Sequence, residues 1–221
     1  MSLLVSLFIN DAIIMASDSR TTYKTSTSIR YVDKTYKTVL MDGKIGISHC
    51  LNAEINGKSI DYHLQNFMQI NKGRGLTRIP ELLKNYFINL KSDCVIEFFV
   101  CGYINNTRYG YRINTQDGIT KLNTTSNHLY WAGNKTISSR LFYPDLYIKK
   151  NSKYVKHSFS PLRLDEFTLT DGIDFVEFMI KTVEKVISYQ NCDQNIGGPV
   201  DILIIKPHFA YWHKRKGLLR N

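Results

Sequence analysis

Ala12-Ile-Ile-Met-Ala-Ser-Asp-Ser-Arg20 is an apolar run that ends abruptly in charge, and Leu3-Leu-Val-Ser-Leu-Phe-Ile9 stands before it across the pair Asn10-Asp11. Branched and aromatic residues joined by a two-residue Asn-Asp signal read as two strands of a hairpin. Both runs are apolar at nearly every position, so both faces of the hairpin must be covered. The charged end has a plain structural reading, since Asp18 and Arg20 can form an ion pair where a strand meets a polar loop.

Outward from this hairpin, Thr21 to Arg30 reads as a Ser/Thr-rich loop. Lys34 to Met41 and Lys44 to His49 then read as a second hairpin turned by Asp42-Gly43. Helical spacing predicts a helix over Ala53 to about Gln69 and another over Pro80 to Leu90, the latter with proline at its first position. Strands follow at Cys94 to Gly102, Arg108 to Asn114, Ile119 to Asn123 and His128 to Ala132. A helix runs from Asn134 to before Pro144, and Asp145 to Pro161 fits no clear pattern. Ile173, Val176, Ile180, Val183 and Ile187 recur at helical spacing, and Val200 to Ile205 and Phe209 to His213 close the chain as strands. The order predicts an α+β fold in one domain over 1–221, for which a four-layer αββα sandwich buries every apolar face.

The chain has 221 residues, 43% of them apolar, and 27 aromatic residues (14 Tyr, 11 Phe, 2 Trp), which argues against disorder. Its net charge of +10 raises nucleic acid as a partner. The basic run His213-Lys-Arg-Lys216, with Arg220 beyond it, reads more simply as a solvated strand end, so nucleic-acid binding is not the expectation. The four cysteines, at 50, 94, 101 and 192, form no CxxC pair, which predicts a reducing cytoplasm and no zinc site. Residues 1–9 carry no Lys or Arg and are too short for a signal core or a membrane span. His49 and Cys50 are adjacent on a strand and point to opposite faces, so they read as packing residues and not as a dyad.

Asn10 to Arg20 also resembles the second strand of proteasome β-type subunits, of the HslV peptidase and of related bacterial proteasome homologues, where an apolar strand ends in an Ala-x-Asp/Glu-x-Arg pattern. Asp193-Gln-Asn-Ile-Gly-Gly-Pro-Val-Asp-Ile-Leu-Ile-Ile205 resembles that family's Asp-x-x-Ser-Gly-Gly turn and following strand. Thr168-Leu-Thr-Asp-Gly-Ile-Asp-Phe175 resembles the start of the long helix before it. Counted back without a gap, the resemblance places the N-terminal nucleophile on Ser2, and counted forward it places the active-site lysine on Lys34 in Asp33-Lys-Thr-Tyr36. It makes Asp18 the lysine's partner and Asp193 the group that orients the amine.

The resemblance implies peptide-bond hydrolysis by an N-terminal nucleophile that carries its own base, an α-amine with an ordinary pKa of about 8. That chemistry requires loss of Met1, the one residue before Ser2 in this sequence. The family's oxyanion-hole segment corresponds to Ser48-His-Cys-Leu-Asn-Ala53, with Cys50 and Leu51 where a small Ala-Gly pair is expected. Asn134 replaces a serine near the nucleophile, and Ile196 replaces the serine before Gly197. The implied protein takes peptide or unfolded-protein substrates without metal or organic cofactor. It assembles into a homo-oligomeric ring or stack and works with a separate ATP-dependent unfoldase. These departures equally fit a catalytically silent structural subunit of such an assembly.

Overall fold

Asn10 and Asp11 turn β1 (Leu3–Ile9) back onto β2 (Ala12–Ser17), with Leu4 opposite Ser17 and Ile9 opposite Ala12. The remaining elements follow in chain order: β3 (Thr21–Lys24), β4 (Ile29–Val32), β5 (Thr38–Met41), β6 (Ile45–Leu51), β7 (Glu54–Ile55), β8 (Lys58–Ser59), α1 (Ile60–Ile70) and α2 (Ile79–Asn89). Then come β9 (Ile96–Ile104), β10 (Thr107–Asn114), β11 (Gly118–Lys121), β12 (His128–Gly133), α3 (Lys135–Phe142), β13 (Leu146–Lys150), β14 (Lys153–His157), α4 (Leu169–Ser188), β15 (Asp201–Ile205) and β16 (Ala210–Lys214). This computed structural model describes residues 2–91, 93–142, 146–150, 153–157 and 162–217, so Met1 and Arg220 lie outside the described residues.

Two five-stranded antiparallel sheets dominate. The first runs β12-β1-β2-β15-β16 and the second β11-β10-β9-β6-β5. Strand alternation divides their side chains into three buried clusters. Leu4, Phe8, Ile13, Met15 and Leu203 from the first sheet meet Cys50, Phe99 and Cys101 from the second. The opposite face of the first sheet, with Leu3, Val5, Leu7, Ile14, Ile202 and Ile204, packs on Val176, Ile180, Val183 and Ile187 of α4. The opposite face of the second sheet, with Ile45, Ile47, Phe98 and Val100, packs on Leu64 and Phe67 of α1 and Leu83 and Phe87 of α2. Both faces of β1 and β2 are therefore covered, as their unbroken apolar runs require. Gly46 lets β6 approach the first sheet, because a Cβ there would stand 2.4 Å from the Met15 sulfur.

Helix α4 begins in a capping box. The Thr168 hydroxyl accepts from Asp171 N, and the Asp171 carboxylate accepts from Thr168 N. None of the described helices is long and apolar enough to cross a membrane.

Four segments differ from the sequence expectation, one of them the strand read from Lys34, which begins only at Thr38. The helix read from Ala53 starts at Ile60, because Asn56 and Gly57 take φ of 50° and 70° and fold β7 onto β8 in a tight turn. The Ser/Thr-rich stretch after Arg20 is itself a hairpin, β3 with β4, and not an open loop. Part of the unassigned 145–161 segment pairs as β13 with β14.

Candidate active site

The site is built where β1 begins and β2 ends. The Asp18 carboxylate, fully buried at the end of β2, accepts from Leu3 N at 3.0 Å, Arg20 N at 3.1 Å and Gly197 N at 3.2 Å. A carboxylate held by backbone donors from three separate segments ties the chain start to the Gly197-Gly198 turn. Its remaining partner is Lys37, whose ammonium lies 2.8 Å from Asp18 Oδ1 and 2.5 Å from the Arg20 carbonyl. Lys37 is 2% exposed, a degree of burial that a lysine tolerates only when paired.

The lysine that meets Asp18 is not the one a gapless count names. Lys34, the residue named by a gapless count, is exposed, and no hydrogen bond or ion pair among the described residues joins it to Asp18. The lysine that reaches the carboxylate comes three residues later, just before β5. Its carbonyl receives His49 N at 2.9 Å from the neighbouring strand β6.

Ser2 is 7% exposed, and its carbonyl accepts from Asn134 N at 2.9 Å. Gly133, the last residue of β12, has φ of 97°, and a Cβ there would stand 1.8 Å from the Ser2 carbonyl oxygen. Asn134 thus touches Ser2 through its backbone. Its side chain faces the other way, accepting from Ile137 N at 3.2 Å as the cap of α3. Gly197 sits against Arg20, where a Cβ would meet the guanidinium at 2.5 Å. Arg20 is held by Asp33 through two hydrogen bonds of 2.7 Å and by the Tyr31 ring, which makes its role architectural.

Asp193 is not drawn to Ser2 by any described hydrogen bond. Its carboxylate pairs with Lys24 at 3.0 Å. Cys50 is buried in the cluster between the sheets, which is the face opposite to that of His49. Leu51 ends β6 with φ of 83°, a backbone conformation usually left to glycine.

Ser2 and Lys37 open onto one cavity of about 290 Å3, whose walls include Thr22, His49, Leu51 and Glu54. His49 was read as a packing residue, and it does face Phe98, with ring centroids 6.5 Å apart. It also lines the cavity, and no residue pattern in the sequence marks that second role. Burial first, and then the Lys37 charge, hold its imidazole neutral, pushing its pKa from 6.5 down to about 4. Its Nε2 stands 3.3 Å from the Tyr36 carbonyl and therefore carries the proton, leaving Nδ1 as an acceptor.

This has a measurable consequence for stability. As pH falls, the unfolded chain takes up the His49 proton below about 6.5, whereas the folded chain refuses it until about 4. Folding stability is therefore lost across that window, by about 2 kcal/mol between pH 7 and pH 5 at 1.36 kcal/mol per pH unit. Urea denaturation of the protein and of His49→Leu at both pH values should show a smaller acid loss in the variant by about that amount. An identical loss in the two proteins would mean that the imidazole is not held neutral.

A buried carboxylate that fixes an ammonium on the same cavity as a serine can stabilise negative charge on an oxygen there. Solved structures share the fold that carries this arrangement. A Gly-1 mutant of Anbu from Hyphomicrobium sp. strain MC1 superposes with TM-score 0.69 at 10% identity, covering 98% of this chain and 86% of that one. Anbu from the same strain in another crystal form gives 0.66 at 11% identity over 97% and 86% of the two chains. Anbu from Yersinia bercovieri, described as an ancestral β-subunit, gives 0.62 at 11% over 97% and 88%. The fold is therefore proteasome-like. Neither the family models nor the curated proteins compared with the sequence match it.

Proposed function

We propose that this chain is a proteasome-like N-terminal-nucleophile peptidase, a single αββα domain in which Ser2 becomes the nucleophile once the Met1–Ser2 bond is cleaved. The observation that carries the reading is the buried Asp18–Lys37 pair on the same cavity as Ser2. In the reaction the Ser2 Oγ attacks a substrate carbonyl and its proton passes to the Ser2 α-amine. The C–N bond of the tetrahedral intermediate breaks as that proton is delivered to the leaving amine, giving an acyl ester on Ser2. Water, deprotonated by the same amine, hydrolyses the ester.

The Lys37 ammonium stabilises the alkoxide, and Asp18 holds Lys37 in place. Leu51, which lines the cavity in a left-handed backbone conformation, is assigned the main-chain contact to the oxyanion. Asp193, through Lys24, and Gly197, through Asp18, position the cavity rim and the chain start. The working unit is a homo-oligomeric ring or stack in the cytoplasm, acting on peptides or on unfolded protein fed by a separate ATP-dependent unfoldase.

A silent structural subunit is the second reading, favoured by Asn134 turning its side chain to α3 and by Asp193 turning to Lys24. Intact mass spectrometry separates the two. Purified protein treated with a peptide β-lactone should lack Met1 and gain one adduct, and Ser2→Ala should gain none. Retained Met1 with no adduct would establish the silent subunit.

A further inference from the structure

The residues on either side of Lys37 are both held from the β2–β15 strand pair. Thr38, which follows it, donates its hydroxyl to the Ser17 hydroxyl at 2.9 Å. Ser17 in β2 stands opposite Asp201 in β15. Asp201 is fully buried and accepts from Lys216 twice, from its main-chain N at 2.8 Å and from its ammonium. Lys216 in turn reaches Tyr36, the residue before Lys37.

The Tyr36 hydroxyl donates to the Lys216 carbonyl at 3.4 Å. The Lys216 ammonium and the Arg215 guanidinium lie 4.5 and 4.9 Å from the centre of the Tyr36 ring, and the same guanidinium lies 4.3 Å from the Trp212 ring. Cations over aromatic faces are attracted by the ring quadrupole, most strongly where water is excluded. Gly217 follows closely, since a Cβ there would stand 3.3 Å from the Tyr36 hydroxyl. His49 completes the hold from β6, with Nε2 donating to the Tyr36 carbonyl at 3.3 Å and its main-chain N to the Lys37 carbonyl at 2.9 Å.

We infer that residues 215–217, just beyond β16, form a strap that positions Lys37, anchored by Lys216 on Asp201 and acting through Tyr36. The inference rests on the proposed role of Lys37 for its bearing on catalysis. Apolar side chains would fill the place of the Lys216–Asp201 pair at no greater cost in stability. They would not supply a fixed direction, whereas two contacts from one residue to one carboxylate set both the position and the orientation of the strap. Burial lowers the Lys216 pKa from its ordinary 10.5 against the pull of Asp201, and the Lys37 charge lowers it further, so the two ammonium groups lie near enough to repel.

The test compares the native protein with two strap variants. Asp201→Asn/Lys216→Met removes the pair without leaving a buried charge, and Tyr36→Leu keeps the pair but removes the ring and hydroxyl that the strap holds. Lys214→Met, which breaks the ion pair of β16 with Glu177, controls for a purely structural loss nearby. Reductive methylation followed by peptide mass spectrometry should modify exposed Lys34 in the native protein and spare Lys37, which is 2% exposed. Both strap variants should raise the Lys37 rate at least about 10-fold by local opening, and Lys214→Met by less than about twofold. In β-lactone labelling of Ser2 the strap variants should lower the maximal rate about 10-fold and leave the half-saturating concentration within about twofold, because the strap acts on Lys37 and not on probe binding.

Urea denaturation shows which variants fold, and Tyr36→Leu carries the test alone if the double variant does not. Lys37 protected in a folded strap variant, an equal effect in Lys214→Met, or a labelling loss confined to the half-saturating concentration overturns the strap. So does a native Lys37 that reacts as fast as Lys34. A native protein that takes no β-lactone adduct overturns the nucleophile and leaves methylation to decide the strap, so the two ideas fail separately.

Discussion

Lys37→Met is expected to cost about 3–5 kcal/mol of folding stability and to slow covalent labelling of Ser2 at least about 100-fold, while Lys34→Met changes neither. Methionine preserves the length and apolar stem of the lysine but removes the only cationic side chain on Asp18 among the described hydrogen bonds. The carboxylate would keep its three backbone donors, from Leu3, Arg20 and Gly197, and remain fully buried with an uncompensated charge. Truncating one partner of a buried ion pair costs more than the pair contributes, because the remaining charge stays desolvated. Lys34 lies at the exposed surface, where substitutions away from any special feature stay within about 0.5 kcal/mol. Urea denaturation with β-lactone labelling of both variants decides the matter. Labelling lost in Lys34→Met and retained in Lys37→Met would restore the gapless register and remove the Asp18–Lys37 pair from the mechanism.

The lysine that pairs with Asp18 stands three residues beyond the one a gapless count names, and the reason shows what was legible in the sequence and what was not. The β1–β2 hairpin and α4 are readable because their apolar residues fill every strand position or repeat at helical spacing, patterns that burial imposes directly. The segment from Thr21 to Tyr36 has no such pattern. Its hairpin, β3 with β4, is short, half-exposed and rich in Ser and Thr, so nothing in its composition separates it from a loop or fixes its length.

A signal for Lys37 was nevertheless present. It stands immediately before the apolar strand Thr38–Met41, so a lysine there is carried into the fold, whereas Lys34 sits in the turn. The turn at Asn56-Gly57 was also present as a dipeptide, but the helical spacing read from Ala53 to about Gln69 ran over it. His49 is of another kind. Strand alternation correctly separates it from Cys50, yet which cavity it lines depends on how the end of β6 meets the start of β1, a relation between distant segments that no local pattern encodes.

Gly133→Ala is expected to be the most damaging single-methyl change near the site, destabilising the protein by about 3 kcal/mol or more and abolishing labelling of Ser2. Two separate effects combine there. Gly133 has φ of 97°, which an alanine adopts only with strain, and its added Cβ would lie 1.8 Å from the Ser2 carbonyl oxygen and 2.7 Å from the Ser2 carbonyl carbon. Neither atom belongs to a flexible side chain. The Ser2 carbonyl is fixed by Asn134 N, and the next residue, Leu3, is fixed by Asp18 and paired with Gly133 across β1 and β12.

Relief therefore requires the first residue of the described chain to leave its place on the cavity that Lys37 also lines. Gly118→Ala supplies the control, since Gly118 has φ of 109° with nothing within 4 Å of its would-be Cβ. It carries the backbone strain alone, about 1–2 kcal/mol, and should leave Ser2 labelling intact. The difference between the two alanine variants measures the collision. Equal stability losses, with labelling preserved in both, would show that Ser2 is not seated against Gly133 and that the cavity is assembled differently around the chain start.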